Sequence, residues 1–230
     1  ALYIAGEDED FGASYSRLQK LSPVDGSIIF DKVYNTYPCA FAGGIADMDI
    51  DSTGIYTVSY RDNCVPPNSA ITPYVEKFNF DGSVAWAVSD GSGAGHFPTS
   101  IAVDDNLIYV GGYTINCPGS VGYFLHKRDK SGVLLGSAGS SLACPSYPLL
   151  PVIDSIGDMD LFNNNLYLTR INSGFISLEK RSDINTIEWS VPTNGYQNTF
   201  TYPARFFLHE DGANSSIYLG AGQYIGAAPC

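Results

Sequence analysis

The sequence predicts an all-β fold built from a repeated unit of four short antiparallel strands. Three observations carry that expectation. An Ile/Leu-Tyr run recurs at Leu2-Tyr3, Ile55-Tyr56, Ile108-Tyr109, Leu166-Tyr167 and Ile217-Tyr218, so the tyrosines are spaced by 53, 53, 58 and 51 residues; a period of that size marks a repeat array. Turn-forming residues separate the apolar runs at matching places. No window carries the 3.6-residue periodicity of an amphipathic helix.

Taken in order, each unit reads as strands A to D. Strand A is a short run before the tyrosine: Ile45–Ile50, Thr99–Val103, Gly157–Leu161 and Arg205–Leu208. Asp, Asn, Ser and Gly then make a hairpin, as in Asp51-Ser52-Thr53-Gly54, Asp104-Asp105-Asn106, Asn163-Asn164-Asn165 and Asp211-Gly212-Ala213-Asn214,. The tyrosine run is strand B. After a loop of variable length comes strand C, which carries Lys20, Lys77, Lys127 or Lys180 at a matching place. Turns at Asp25-Gly26, Asp81-Gly82 and Ser131-Gly132 lead into strand D, namely Ser27–Phe30, Val84–Trp86, Val133–Leu135 and Ile187–Trp189,.

Four antiparallel strands joined by hairpins are the unit of a β-propeller blade. The chain resembles the propeller repeat families whose blades combine an "IAVDxxGNIYVAG" run with a "KxxxDGxxxW" run, such as NHL-like and bacterial SBBP-type repeats. The resemblance covers nearly the whole chain. It rests on framework positions, so it implies a fold and no activity. The expected organisation is a single β-propeller domain over 1–230, of about four blades plus a partial one, with segments of about 1–38, 44–90, 97–140, 155–195 and 203–230. Counting strands gives seventeen, which neither a four-bladed nor a five-bladed ring requires. Either Arg205–Leu208 supplies the missing first strand and leaves Ile217–Gly220 over, or the chain belongs to a larger propeller, or strands of another copy complete it.

The 230 residues hold 12 Lys+Arg against 24 Asp+Glu, a net charge of −12. Clustered cations for phosphate contacts are missing, so no nucleic-acid partner is expected. No run of about 18 apolar residues exists, so no membrane-spanning helix is expected. Cys39, Cys64, Cys117, Cys144 and Cys230 each sit in a loop-like segment, and none has metal-site spacing,. Such cysteines point to disulfides and an extracellular or cell-surface location, with Ala1 compatible with the residue after a removed signal peptide. Propeller connectivity gathers all five on the face of the B–C and D–A loops. The expected pairs are Cys39–Cys64 and Cys117–Cys144, each closing a loop of roughly 25 residues for about 3 kcal/mol, with Cys230 left for an intermolecular bond. Asn214-Ser215-Ser216 is a glycosylation sequon,.

Two acidic groups stand out. Glu7-Asp8-Glu9-Asp10, placed in the first B–C loop, reads as a calcium or cationic-ligand site or as a solvated acidic loop,. Asp47, Asp49 and Asp51 alternate along one side of a strand A, and Asp158 and Asp160 take matching places later,. The spacing fails as an EF-hand loop because Ser52 and Val58 stand where its Gly and Glu belong,. A channel metal or small-ligand site on Asp47, Asp49, Asp158 and Asp160 competes with an ion-pair cluster neutralised by Arg205.

No nucleophile elbow, zinc-protease motif or P-loop occurs. Gly220 and Gly222 are followed by Gly226, which breaks the dinucleotide pattern,. His126 aligns with Glu76 and Glu179 as a strand-surface residue, and His96 and His209 fall on opposite faces. No catalytic residue, cofactor or enzymatic role is therefore expected, calcium aside. The expected role is non-enzymatic binding or assembly: a structural, filament or adhesion subunit that meets itself or a surface protein. One alternative is a glycan-binding lectin using Tyr60, Tyr113 and Tyr196. Another is a polysaccharide lyase or hydrolase using the channel carboxylates.

Overall fold

A computed structural model describes residues 1–10, 13–37, 44–62, 71–89, 95–117, 120–140, 152–172, 175–197, 205–211 and 214–220. Those residues form seventeen strands and no helix. The first unit is a three-stranded antiparallel sheet of β1 (Leu2–Asp10), β2 (Ala13–Leu21) and β3 (Ile28–Tyr37). The second is the four-stranded sheet β4 (Ile45–Asp51), β5 (Gly54–Asp62), β6 (Ile71–Phe78) and β7 (Val84–Ser89). The third contains β8 (His96–Val103), β9 (Leu107–Cys117), β10 (Ser120–Asp129) and β11 (Leu134–Gly139). The fourth contains β12 (Val152–Phe162), β13 (Asn165–Asn172), β14 (Phe175–Asp183) and β15 (Thr186–Gln197). A short parallel bridge between Ser120–Val121 and Val152–Ile153 joins these last two into one eight-stranded sheet. A separate pair, β16 (Arg205–Asp211) and β17 (Asn214–Gly220), ends the series. Among the described residues this pair is hydrogen-bonded to no strand of the first unit, so Arg205–Leu208 does not supply a strand to it there.

The repeated residues have direct physical roles. Tyr3, Tyr56, Tyr109 and Tyr167 lie opposite Lys20, Lys77, Lys127 and Lys180 on the neighbouring strand. The Lys20 and Lys77 ammonium groups sit 5.4 and 5.1 Å from the centroids of the Tyr3 and Tyr56 rings,. Beyond Lys20, Lys77 and Lys180 stands an aromatic residue of the outer strand, whereas Gly136 lies beyond Lys127: Tyr3 meets Phe30, Tyr56 meets Trp86 and Tyr167 meets Trp189 at 6.1–6.4 Å between centroids,. The turns are equally determined. Asp25, Asp81 and Asp129 each accept a backbone and a hydroxyl hydrogen bond from the serine two residues on,. Gly26, Gly82 and Gly132 then supply the positive φ, as do Asn163 and Asn164 in a hairpin of the fourth unit,.

The core lies between units, because each sheet presents a tyrosine-bearing side to the aliphatic side of the next. Tyr3, Ala5, Leu18 and Tyr34 of the first unit pack on Ile55 and Phe78 of the second. Tyr56, Val58 and Val75 pack on Ile108, Val110 and Phe124. Tyr109 and Leu125 pack on Leu166, Leu168 and Ile184. Each fully buried aliphatic side chain contributes about 1.5–3 kcal/mol. No helix among the described residues is long and apolar enough to cross a membrane.

Candidate functional site along the leading strands

The first strands of successive units, β4, β8, β12 and β16, pack side by side in chain order. Each is an edge strand over most of its length, so its outward N–H groups need acceptors from outside the sheet ladder. Side chains of the preceding leading strand supply them. Asp47 Oδ2 accepts from the Ile101 N–H at 2.9 Å and from the Ser100 hydroxyl at 2.8 Å. Ser100 Oγ in turn accepts from the Met159 N–H at 3.0 Å. Asp158 Oδ2 accepts from the Phe206 N–H at 3.0 Å. Asp47, Ser100 and Asp158 thus hold one register position in three units, each reaching the residue after that position in the next.

A second row lies two residues further on. Asp49 accepts from the Val103 N–H at 2.6 Å and from the Ile50 N–H at 2.7 Å. Asp160 accepts from the Leu161 N–H at 2.7 Å, because Ala102 stands where the third unit would need a carboxylate. Burial pushes Asp49 up to about 6, against the two N–H bonds and with help from the charges of Asp160 and Asp47,. Burial also raises Asp160. Burial pushes Asp51 upward too, but Lys130 and Thr53 outweigh it and hold it below the usual range; Lys130 Nζ is 2.6 Å from Asp51 Oδ2.

Several expectations change at this point. The carboxylates Asp47, Asp49 and Asp158 accept from backbone N–H groups of the next leading strand, and Asp47 also from Ser100. Among the described residues, no three His, Cys, Asp or Glu side chains form a group suited to a metal ion. Glu7–Asp10 are the last four residues of β1, paired with Ala13–Ser16, and not a loop. His126 is not a surface residue. It is 5% exposed, beside Phe124 and with its ring centroid 6.5 Å from that of His96, and burial pushes it down to about 4. Cys39, Cys64, Cys144 and Cys230 lie outside the described residues, as do the side chains of Glu7, Asp8, Glu9, Asp10, Cys117, Tyr196, Arg205, His209 and Asn214.

One side-chain group has no counterpart in the sequence reading, and a second joins two of the tyrosines that reading named, Tyr60 and Tyr113, to Phe97. Between the third and fourth units, Arg170 forms a bidentate pair with Asp154 at 2.8 Å and stacks 4.4 Å from the Tyr123 ring centroid, while Arg181 binds Glu179 at 2.6 Å,. Ser140 joins Asp154 at 2.7 Å. Nearby, Tyr60, Phe97 and Tyr113 form a half-buried aromatic row, with Tyr60 6.3 Å from Phe97 and the Phe97 and Tyr113 rings stacked at 4.9 Å. Burial raises the Tyr113 phenol. Ser100 was signalled only by its register with Asp47 and Asp158. The Arg170–Asp154 pair had no signal, because 16 residues of hairpin separate its members.

No protein-family model matches the chain, and no curated protein matches it. Among solved structures, a luciferin-regenerating enzyme aligns over 92% of this chain and 75% of its own, with 11% identity and a TM-score of 0.47. That likeness is too distant to transfer any property to this chain.

Proposed function

We propose that the chain is a β-propeller array, extracellular or at the cell surface, whose work is non-enzymatic binding or assembly. One observation carries the reading: Asp47, Asp49 and Asp158, three of the four leading-strand carboxylates that would have to do acid–base or metal chemistry, are engaged as acceptors joining one sheet to the next. The four-stranded repeat supports the propeller architecture, and the loop cysteines of the sequence support the compartment. Incubation with acidic and neutral polysaccharides should release no product from wild type or Asp47→Asn. Product formed by wild type and lost in Asp47→Asn overturns the reading in favour of a lyase or hydrolase.

A specific observation favours one ligand class, glycans. Tyr60, Phe97 and Tyr113 come from three strands of two units and stay half-exposed at one end of the sheets, where flat rings can stack on the apolar faces of sugars. A glycan array should show binding that Tyr113→Ala abolishes. An array blank for wild type removes the lectin reading and leaves assembly.

A further inference from the structure

We propose that the aromatic row continues across the third unit to its junction with the fourth, and that a neutral glycan chain lies along Phe97, Tyr113 and Tyr123 with hydroxyls on Arg170. This rests on the glycan reading above and names the length of the site and the charge of the chain it takes. Phe97 lies opposite Tyr113 on the next strand, and Tyr113 lies opposite Tyr123 on the one after. Opposite residues of neighbouring strands share one face of a sheet, so all three line the side that the fourth unit faces. All three are half-buried. Three strands make this stretch about 10 Å long, and Tyr60 extends it by a further 6.3 Å from Phe97. Such a row outruns a single sugar ring and suits a chain.

Unspent hydrogen-bonding groups give the row its chemistry. A buried phenol usually finds a partner inside the protein. Among the described residues neither the Tyr113 nor the Tyr123 hydroxyl has one, so both are left to donate to and accept from a ligand. The facing wall is polar. Arg170 lies 4.4 Å from the Tyr123 ring centroid and donates through Nε and Nη2 to Asp154 at 2.8 Å. Its Nη1 stands 3.6 Å from Glu179, too far for a hydrogen bond, and keeps its N–H groups for a ligand oxygen,. Flat rings edged by hydroxyl and guanidinium donors complement a sugar, which has an apolar C–H face and a rim of hydroxyls. Charge then selects the class. Arg170 is neutralised by Asp154 and Arg181 by Glu179, so neither is a spare cation for a carboxylate or sulfate. The net charge of −12 repels polyanions as well,.

The experiment reads the full chain on an array of neutral, uronic-acid and sulfated oligosaccharides of graded length, followed by calorimetric titration with the best neutral chain and its shorter forms. Neutral chains should bind, and affinity should rise at least about tenfold from the single sugar to the longest chain as more rings meet the row. Tyr113→Phe and Tyr123→Phe should each weaken binding about twofold to tenfold, the worth of one hydrogen bond. Their melting curves should match wild type, because neither hydroxyl is bonded to the protein; a role in the fold alone would move melting and leave affinity untouched. Tyr123→Leu, which also removes the ring, should weaken binding further. Hits confined to acidic chains, or neutral binding indifferent to both Tyr123→Phe and Tyr123→Leu, overturn this proposal while the glycan reading stands on Tyr60 and Tyr113. A blank array overturns both.

Discussion

Ser100→Ala tests the stitched leading strands most directly. Ser100 is fully buried, and its hydroxyl donates to Asp47 at 2.8 Å while accepting from the Met159 N–H at 3.0 Å. Alanine removes a hydrogen bond to a charged group, worth about 1.5–3 kcal/mol, and strands a buried N–H at a further 1–3 kcal/mol. Asp47 keeps the Ile101 N–H, so part of the loss is recovered and the expected destabilisation is about 3 kcal/mol,. For a chain of this length that lowers Tm by roughly 6–12 °C. The assay is thermal unfolding beside Ser137→Ala, a control at an exposed outer-strand serine, which should shift stability by no more than about 0.5 kcal/mol,. A Ser100→Ala shift no larger than the control's would refute the idea that side-chain acceptors hold adjacent units together.

Other outcomes follow from the same geometry. Asp49 is raised to about 6, so its protonated form is favoured in the fold; the stability it adds is complete below the unfolded value of 3.8 and is lost as pH rises through 6,. Denaturant titrations of wild type and Asp49→Asn from pH 4 to 7 should diverge by up to about 3 kcal/mol, wild type being relatively weaker at pH 7; a constant difference rules this out. Gly132→Ala should destabilise by about 1–3 kcal/mol, since φ is +88° and the new Cβ would sit 3.2 Å from Trp86 and Val88,. Gly26→Ala, with φ +73° and no neighbour within 4 Å, should show only the backbone part, and equal effects would mean the turn does not dock on the neighbouring unit. Arg170→Met should cost about 3–5 kcal/mol by leaving buried Asp154 unpaired, with much of it restored by adding Asp154→Asn,. A double variant no more stable than the single would show that the cost is packing against Tyr123 and not the charge.

The repeat was legible because its causes are local. Tyrosine opposite lysine opposite an aromatic residue, and an aspartate capping its own turn, are one- and two-residue relations that recur in sequence as they recur in space. Interactions across units were less legible. His126 aligned correctly with Glu76 and Glu179, but all three are buried, because neighbouring sheets cover both sides of each middle unit and residue polarity no longer reports exposure,. The acceptors also meet the outward N–H groups of an edge strand, which every residue but proline carries and no side-chain pattern displays. Glu7–Asp10 read as a loop from its charge, yet pairing with Ala13–Ser16 draws it into the hairpin.

The stitching row has a consequence for how such a chain tolerates rearrangement. Each middle unit offers an acceptor side chain to the unit after it and a backbone N–H to the unit before it, and the N–H is the same whatever residue bears it. A unit can therefore be duplicated, deleted or exchanged as a block without a matching change in its neighbours, provided the acceptor position keeps an oxygen. The interface behaves as a common coupling, and the number of units is open to change while the chemistry between them stays constant.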